Sequence, residues 1–134
     1  MTNEQKTILV VDDEPTIRLL FSRILAKNNY NVLTAENGYK AVEIYKEENN
    51  NIDLVILDMA MPGISGEQTF NLLKKIDENV KAYILSGYNL KGDIDRILEA
   101  GALGYFQKPI SRAKLLEFIE DVFKEGIYDQ MPQD

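Results

Sequence analysis

Five short apolar segments are distributed along the 134-residue sequence, and each is followed by a stretch in which apolar residues recur at helical spacing. The segments are nearly continuous aliphatic runs, a pattern typical of strands that are covered on both faces in a parallel sheet. They comprise residues 7–11, 32–35, 54–57, 82–85 and 103–106. Strict alternation of strands and helices predicts an α/β domain whose parallel five-stranded sheet carries helices on both faces.

The intervening stretches also contain residues that favour helix ends. Pro15 is placed in a first turn, Asn37 is a plausible cap, and Gly101 follows the fourth helix. Ser65 and Gln68 have the spacing of a capping box at the start of the third helix. The apolar positions are Ile17, Leu20, Phe21, Ile24 and Leu25 in the first helix, Ala41, Ile44 and Tyr45 in the second, Phe70, Leu73 and Ile76 in the third, Ile94, Ile97 and Leu98 in the fourth, and Leu115, Ile119 and Val122 in the fifth.

Composition excludes several kinds of chemistry. The sequence contains no cysteine and no histidine, so it can form no disulfide, thiolate metal site, Ser-His-Asp triad or phosphohistidine. Its net charge of -7 argues against direct binding of nucleic acid, which depends on clustered Lys and Arg. No apolar run is long enough to span a membrane, and the polar N-terminus is unlike a secretory signal, so we expect a cytoplasmic protein.

Polar side chains stand at the ends of four predicted strands. Asp12 and Asp13 follow the first strand, and Asp58 follows the third. Ser86 follows the fourth strand, and Lys108 comes shortly after the fifth. The C-terminal ends of parallel strands share one edge of the sheet, where ligands bind in such folds. We therefore expect three carboxylates, a hydroxyl and an ammonium group to converge there.

This set of groups predicts magnesium-dependent phosphoryl transfer. Three neighbouring carboxylates repel one another unless a cation joins them. Oxygen ligands without histidine or cysteine suit a hard cation, and Mg²⁺ fits best, with Mn²⁺ and Ca²⁺ as alternatives. A carboxylate can be the nucleophile that forms an aspartyl phosphate, while Lys108 and Ser86 can contact the phosphoryl oxygens.

Each residue taken alone also has a structural interpretation. Asp12 and Asp13 could cap the first helix, and Asp58 could begin a turn. Ser86 could begin a loop, and Lys108 could be an ordinary surface lysine. The functional interpretation is preferred because four separate strand ends carry complementary groups for one reaction.

Four sequence stretches, ILVVDDE, LVILDMAMPGISG, ILSGY and GALGYFQKP, occur in the order and at the spacing of response-regulator receiver domains of two-component signalling. The chain resembles this family over about residues 6–125, which leaves residues 1–5 as a flexible N-terminus and residues 126–134 as a short polar tail. The resemblance implies a flavodoxin-like, doubly wound (βα)5 domain with strand order 2-1-3-4-5, for which a chemotaxis receiver is a standard example.

The resemblance also implies roles for individual residues. Asp58 is the implied phosphoacceptor. Asp13, Asp58 and the backbone carbonyl of Ala60 are the implied Mg²⁺ ligands, and Asp12 acts through a water molecule. Lys108 is expected to contact a phosphoryl oxygen, and the peptide bond that follows it is expected to be cis.

Ser86 and Tyr105 form the implied switch. Ser86 would bond the phosphoryl group and Tyr105 would fill the space left behind, which would change the surface of the fourth helix, fifth strand and fifth helix.

Three residues depart from the family pattern or vary within it. At position 86, serine stands where the family usually has threonine. Ala60 leaves room for an attacking water whereas Tyr88 could shield the phosphoryl group, so its lifetime is open.

The implied function is a phosphorylation-dependent signalling switch and not an enzyme. Because the sequence has no histidine, the phosphodonor is expected to be a histidine kinase or a histidine phosphotransfer protein, with a downstream protein as target. The chain could act alone or be the receiver portion of a hybrid kinase. A Mg²⁺-dependent aspartyl-phosphate phosphatase is the alternative, disfavoured because Ala60 stands where such enzymes carry a second aspartate. A nucleotide- or flavin-binding domain is disfavoured because the acidic, glycine-free loop DDEPT would repel phosphate.

Overall fold

The computed structural model of the chain describes residues 5–87 and 91–130, without the side chains of residue 91 and residues 125–130. The strands are β1 (Thr7–Val11), β2 (Asn31–Ala35), β3 (Leu54–Asp58), β4 (Ala82–Ser86) and β5 (Gly104–Gln107). The α-helices are α1 (Pro15–Lys27), α2 (Gly38–Glu48), α3 (Gly66–Ile76), α4 (Lys91–Glu99) and α5 (Arg112–Gln130). A short 3-10 helix, Asn49–Asn51, precedes β3.

The five strands form one parallel sheet in the order β2-β1-β3-β4-β5. This confirms the predicted flavodoxin-like, doubly wound (βα)5 fold. The chain changes direction across the sheet between β1 and β3, and ligands bind in such folds at the crevice beside the C-terminal ends of these strands. The topology therefore places the loops that follow β1 and β3 next to each other.

Two hydrophobic layers cover the sheet. One layer contains residues of α2, α3 and α4, including Tyr45, Phe70 and Ile97. The other contains residues of α1 and α5, including Phe21 and Leu115. Because β1 and β3 lie between both layers, all of their residues are buried, as their continuous apolar runs predict. The edge strands β2 and β5 are partly exposed.

The predicted helix signals are confirmed. Asn37 caps α2 through a side-chain oxygen that accepts the N–H of Lys40 at 2.8 Å, and Ser65 and Gln68 form the capping box of α3. Pro15 is the first residue of α1. Gly101 follows α4 with a φ of +119°, a conformation that favours glycine.

Element ends differ slightly from the predicted ones. Asp58 and Ser86 are the last residues of β3 and β4, so the sheet itself carries them. The helix α5 continues to Gln130, past the domain boundary predicted after residue 125. Residues 1–4 and 131–134 lie outside the described residues. Within the described part of the chain, the search for a helix long and apolar enough to cross a membrane found none.

Candidate functional site

The C-terminal edge of the sheet brings the predicted polar residues together. One carboxylate oxygen from each of Asp12, Asp13 and Asp58 lies within 4.8 Å of the others. Ser86 ends β4, and its carbonyl accepts the N–H of Lys108, directly after β5, at 2.8 Å. The expected convergence is therefore observed for the three carboxylates and the ammonium group of Lys108, and the backbone of Ser86 lies beside them.

The Lys108 ammonium group is held among carboxylates. Its Nζ lies 3.0 Å from Asp12 Oδ2, 3.5 Å from Glu14 Oε2 and 3.6 Å from Asp58 Oδ1. Burial alone would lower the pKa of Lys108, but the contact with Asp12 and the charges of Asp58 and Glu14 outweigh it, so the pKa is raised. Lys108 therefore stays protonated and positively charged beside Asp58. The bond between Lys108 and Pro109 is cis, as expected.

Asp12 and Asp58 also fix the backbone that follows each of them. Asp12 Oδ1 accepts the N–H of Glu14 at 2.9 Å, and Asp58 Oδ1 accepts the N–H of Ala60 at 3.3 Å. The turn interpretation of Asp58 is thus correct, and it is compatible with ligand binding because a carboxylate has several acceptor sites. The capping interpretation of Asp12 and Asp13 is wrong, since the N-cap of α1 is Glu14 and its side chain makes no capping bond.

The donor set fits a hard divalent cation. Asp12 is fully buried and Asp58 is 3% exposed, while Asp13 is exposed beside them. Asp12 Oδ2 has no hydrogen bond of good geometry among the described residues, although the ammonium of Lys108 lies close to it. Oxygen ligands with this excess of negative charge are those that Mg²⁺ accepts.

Burial raises the pKa of Asp58 to about 7, and the neighbouring charge of Asp12 adds to the rise. The charge of Lys108 and the N–H of Ala60 act in the opposite direction without cancelling it. At neutral pH the ionised Asp58 is therefore an unfavourable buried charge. A divalent cation at the site would favour the ionised form.

We expect Asp58→Asn to be more stable than the wild type near pH 8 in chelator, by roughly 2–4 kcal/mol. The unfolded chain loses the Asp58 proton at an ordinary aspartate pKa, whereas the folded chain retains it up to about pH 7. The wild type therefore loses stability relative to the variant as pH rises through this interval, and the gap should be smaller near pH 5. Urea unfolding of both proteins at the two pH values measures it. An equal gap at both would contradict this pKa.

An open depression leads to Asp58. Its lining residues are Asp13, Glu14, Asp58, Ala60, Gly87 and Lys108. Ala60 is exposed, so its short side chain leaves space beside Asp58. Asp12 is absent from this lining, which favours Asp58 over Asp12 as the group that meets a ligand. Tyr88, predicted to flank the site, lies outside the described residues.

Ser86 and Tyr105 differ in exposure. Ser86 is buried, whereas Tyr105 is 48% exposed. Ser86 pairs with Gln107 on β5, and Tyr105 lies two residues before Gln107 on the same face of that strand. Tyr105 borders a surface depression together with Phe118 of α5. The switch roles of Ser86 and Tyr105 stay predictions.

Two contributions to the site were not predicted from the sequence. Glu14 supplies a further carboxylate beside Lys108. Gly66 lets α3 begin directly against β3, because a Cβ at this position would lie 2.4 Å from the carbonyl oxygen of Asp58. The N–H of Gly66 donates to the carbonyl of Met59 at 2.9 Å. In the sequence, Gly66 stands directly after the cap residue Ser65. A capping box does not require glycine at this position, so the glycine itself could have indicated the close packing.

The parallel sheet in the order 2-1-3-4-5, with an acidic cluster at its topological switch point, places the chain in the class of flavodoxin-like α/β domains. Residues 8–120 match the family model of the response regulator receiver domain. The chain belongs to this family and is a receiver domain of two-component signalling.

Three known proteins illustrate the similarity. Sporulation initiation phosphotransferase F of Bacillus subtilis is 38% identical over 128 residues, which cover 93% of this chain and 94% of the relative. A chain in the crystal structure of the CheX–CheY–BeF3–Mg²⁺ complex from Borrelia burgdorferi superposes with a TM-score of 0.84 at 30% identity, over 88% of this chain and 89% of that one. The response regulator TrrA of Thermotoga maritima, in complex with Mg²⁺ and BeF, gives a TM-score of 0.77 at 37% identity, over 87% and 98%.

Proposed function

We propose that this receiver domain is a phosphorylation-dependent switch in which Asp58 accepts the phosphoryl group. The observation that carries the proposal is the position of Lys108 Nζ, 3.6 Å from Asp58 Oδ1, at the edge of a cluster of three aspartates. Phosphoryl transfer needs alignment and charge neutralisation more than covalent chemistry from the protein. This edge of the sheet supplies an acceptor that lines an open depression, with a fixed cation beside it.

The donor is a phosphohistidine of a partner protein. Its P–N bond breaks as a P–O bond forms to the carboxylate of Asp58, which acts as nucleophile. Asp13, Asp58 and the carbonyl of Ala60 would hold Mg²⁺, with Asp12 acting through water, and the bound ion supplies neutralisation of the phosphoryl oxygens. Lys108 contacts a further phosphoryl oxygen. Mg²⁺ and BeF3, a phosphoryl mimic, in a similar crystal structure support this proposal.

The partners are proteins at both steps. A histidine kinase or a histidine phosphotransfer protein supplies the phosphoryl group, because this chain has no histidine. The similarity to a sporulation phosphotransferase supports such an exchange. Output passes to a downstream protein through the surface of α4, β5 and α5. Ser86 transmits the change by bonding the new phosphoryl oxygens, and Tyr105 responds by turning inward.

Incubation with acetyl phosphate and Mg²⁺ tests the chemistry. We expect intact-mass measurement to show one added phosphoryl group, lost on treatment with hydroxylamine, because an acyl phosphate is labile to it. Chelation of Mg²⁺ before the donor is added should prevent the adduct, since the acidic cluster then repels the incoming anion. An adduct that forms equally well in chelator would contradict the metal requirement.

A further inference from the structure

A bidentate ion pair joins the helices α3 and α4. Arg96 of α4 approaches Glu67 of α3, with Nε 3.1 Å from Oε2 and Nη2 3.1 Å from Oε1. This paired geometry is the strongest arrangement for an arginine and a carboxylate. Arg96 also contacts Asp93 on its own helix. The pair therefore crosses between two helices and orients one relative to the other.

A second contact lies about one helical turn beyond Arg96, at the C-terminal end of α4. Lys74 Nζ on α3 donates to the carbonyl of Ala100, directly after α4, at 2.7 Å. The last carbonyls of a helix lack partners within it, and a lysine there also favours the helix dipole. A Cβ at Gly101 would lie 2.9 Å from the same Nζ, so the chain leaves this space for the lysine. Two contacts about one helical turn apart therefore attach the C-terminal part of α4 to α3.

Glu67 is directly connected to the phosphorylation site through the backbone. It follows Gly66, which packs against the carbonyl of Asp58 and donates its N–H to Met59. A shift of the segment between Asp58 and Gly66 therefore moves the first turn of α3 and with it the Glu67 carboxylate. Arg96 lies on the helix that belongs to the proposed output surface.

We propose that the Glu67–Arg96 pair is a latch that holds α4 against α3 in the unphosphorylated protein and sets how readily α4 is released. The inference rests on the proposed function, since it names how the response to Asp58 phosphorylation is regulated. Phosphorylation favours the released arrangement, and the latch opposes it. Lys74 holds the carbonyl of Ala100 independently of this pair.

The expected size of the effect follows from the exposure of the pair. The side chains of Arg96 and Glu67 are 57% and 29% exposed, so water and salt screen the attraction. An exposed pair of good geometry shifts a local equilibrium by about two- to fivefold. The hydrogen bond to Glu67 is the largest cause of the raised pKa of Arg96, ahead of the contact with Asp93. The contact with Glu67 crosses between two helices whereas Asp93 lies on α4 itself, so Glu67 is the residue to substitute.

Hydrogen–deuterium exchange of the α4 amides in the unphosphorylated 134-residue chain tests the latch. We expect Glu67→Gln to speed exchange in α4 about two- to fivefold while β1 and β3 stay unchanged. Glu43→Gln is the matched control, because it breaks the exposed Lys40–Glu43 pair within α2 and should leave α4 as in the wild type. In an Arg96→Gln background, Glu67→Gln should add nothing, since the partner is already absent.

The failure of the latch and the failure of the proposed function give different results. The latch would be overturned if α4 of Glu67→Gln exchanged at the wild-type rate, or if Glu43→Gln increased the exchange of α4 by the same factor. Either result would count against the latch whether or not Asp58 is phosphorylated. Absence of a phosphoryl adduct on the wild type with acetyl phosphate and Mg²⁺ would overturn the proposed function instead. If both hold, BeF3 and Mg²⁺ should speed α4 exchange in the wild type, and Glu67→Gln should add less to that state than to the unphosphorylated one.

Discussion

Asp58→Asn is expected to accept no phosphoryl group under conditions in which the wild type gains one per molecule. Asparagine preserves the size of the side chain and an oxygen that can accept the N–H of Ala60, as Asp58 does at 3.3 Å. Its amide is not a nucleophile for phosphorus, so no acyl phosphate can form. The loss should be complete, because Asp12 is fully buried and does not line the depression that a donor would enter.

Intact mass followed by peptide mapping measures this result. Asp121→Asn is the matched control, because Asp121 is an exposed aspartate on α5 and its substitution changes the mass and charge equally. That variant should be phosphorylated like the wild type. A phosphoryl group that maps to Asp13 or Glu14, which also line the depression, or that persists in Asp58→Asn would show that the acceptor is wrongly assigned.

The sequence predicts the central part of this fold well because its signals are strong there. The runs at residues 8–11 and 54–57 are uninterrupted aliphatic stretches, and β1 and β3 are buried along their whole length. Because these strands alternate with amphipathic helices, the sheet must be parallel, and the C-terminal ends of all its strands then lie at one edge. The positions of Asp12, Asp58 and Lys108 are consequences of that topology. The strand order itself came from the resemblance of the motifs to a known family.

The remaining features depend on side-chain geometry that no local pattern encodes. Lys108 lies closest to Asp12, which depends on how three carboxylates share one cation. The Glu67–Arg96 pair joins residues 29 positions apart on two helices whose relative orientation is set by the core. Tyr105 is half exposed on the edge strand β5 whereas its neighbour Phe106 is buried, and the apolar run at residues 103–106 does not indicate which of the two faces is covered. The extension of α5 to Gln130 is an exception, because Ile127 stands four residues after Phe123 and this helical spacing could have indicated it.

Lys108 is the residue that connects the acidic site to β5. Its backbone N–H donates to Ser86 at the end of β4, while its side chain lies between Asp12 and Asp58. A phosphoryl group on Asp58 adds negative charge and acceptor oxygens next to this ammonium group. Movement of Lys108 toward that group would change the contacts of the loop that joins β5 to α5. We therefore expect the lysine to transmit the modification as well as to neutralise it.

Lys108→Ala is expected to separate metal binding from switching. Mg²⁺ should still bind through Asp13 and Asp58, because the variant removes a positive charge and no ligand. The shifts of the α4 and β5 backbone amides on addition of BeF3 and Mg²⁺ should be largely lost, since no cation remains to draw the loop toward Asp58. The variant should also be less stable by about 3 kcal/mol, because buried Asp12 loses its charge partner.

Backbone NMR of the wild type, Lys108→Ala and Lys46→Ala tests this expectation. Lys46 is an exposed lysine on α2, away from the proposed output surface, so its substitution removes the same charge and should leave the shifts at wild-type size. Lys108→Arg keeps a positive charge beside Asp12, so it should fold even if Lys108→Ala does not. It should also retain part of the response to BeF3 and Mg²⁺. The Mg²⁺ titration of each variant shows that the metal still binds. If α4 and β5 of Lys108→Ala respond to BeF3 as fully as the wild type, Lys108 does not transmit the signal and the route to α4 must begin at Ser86 or at Gly66.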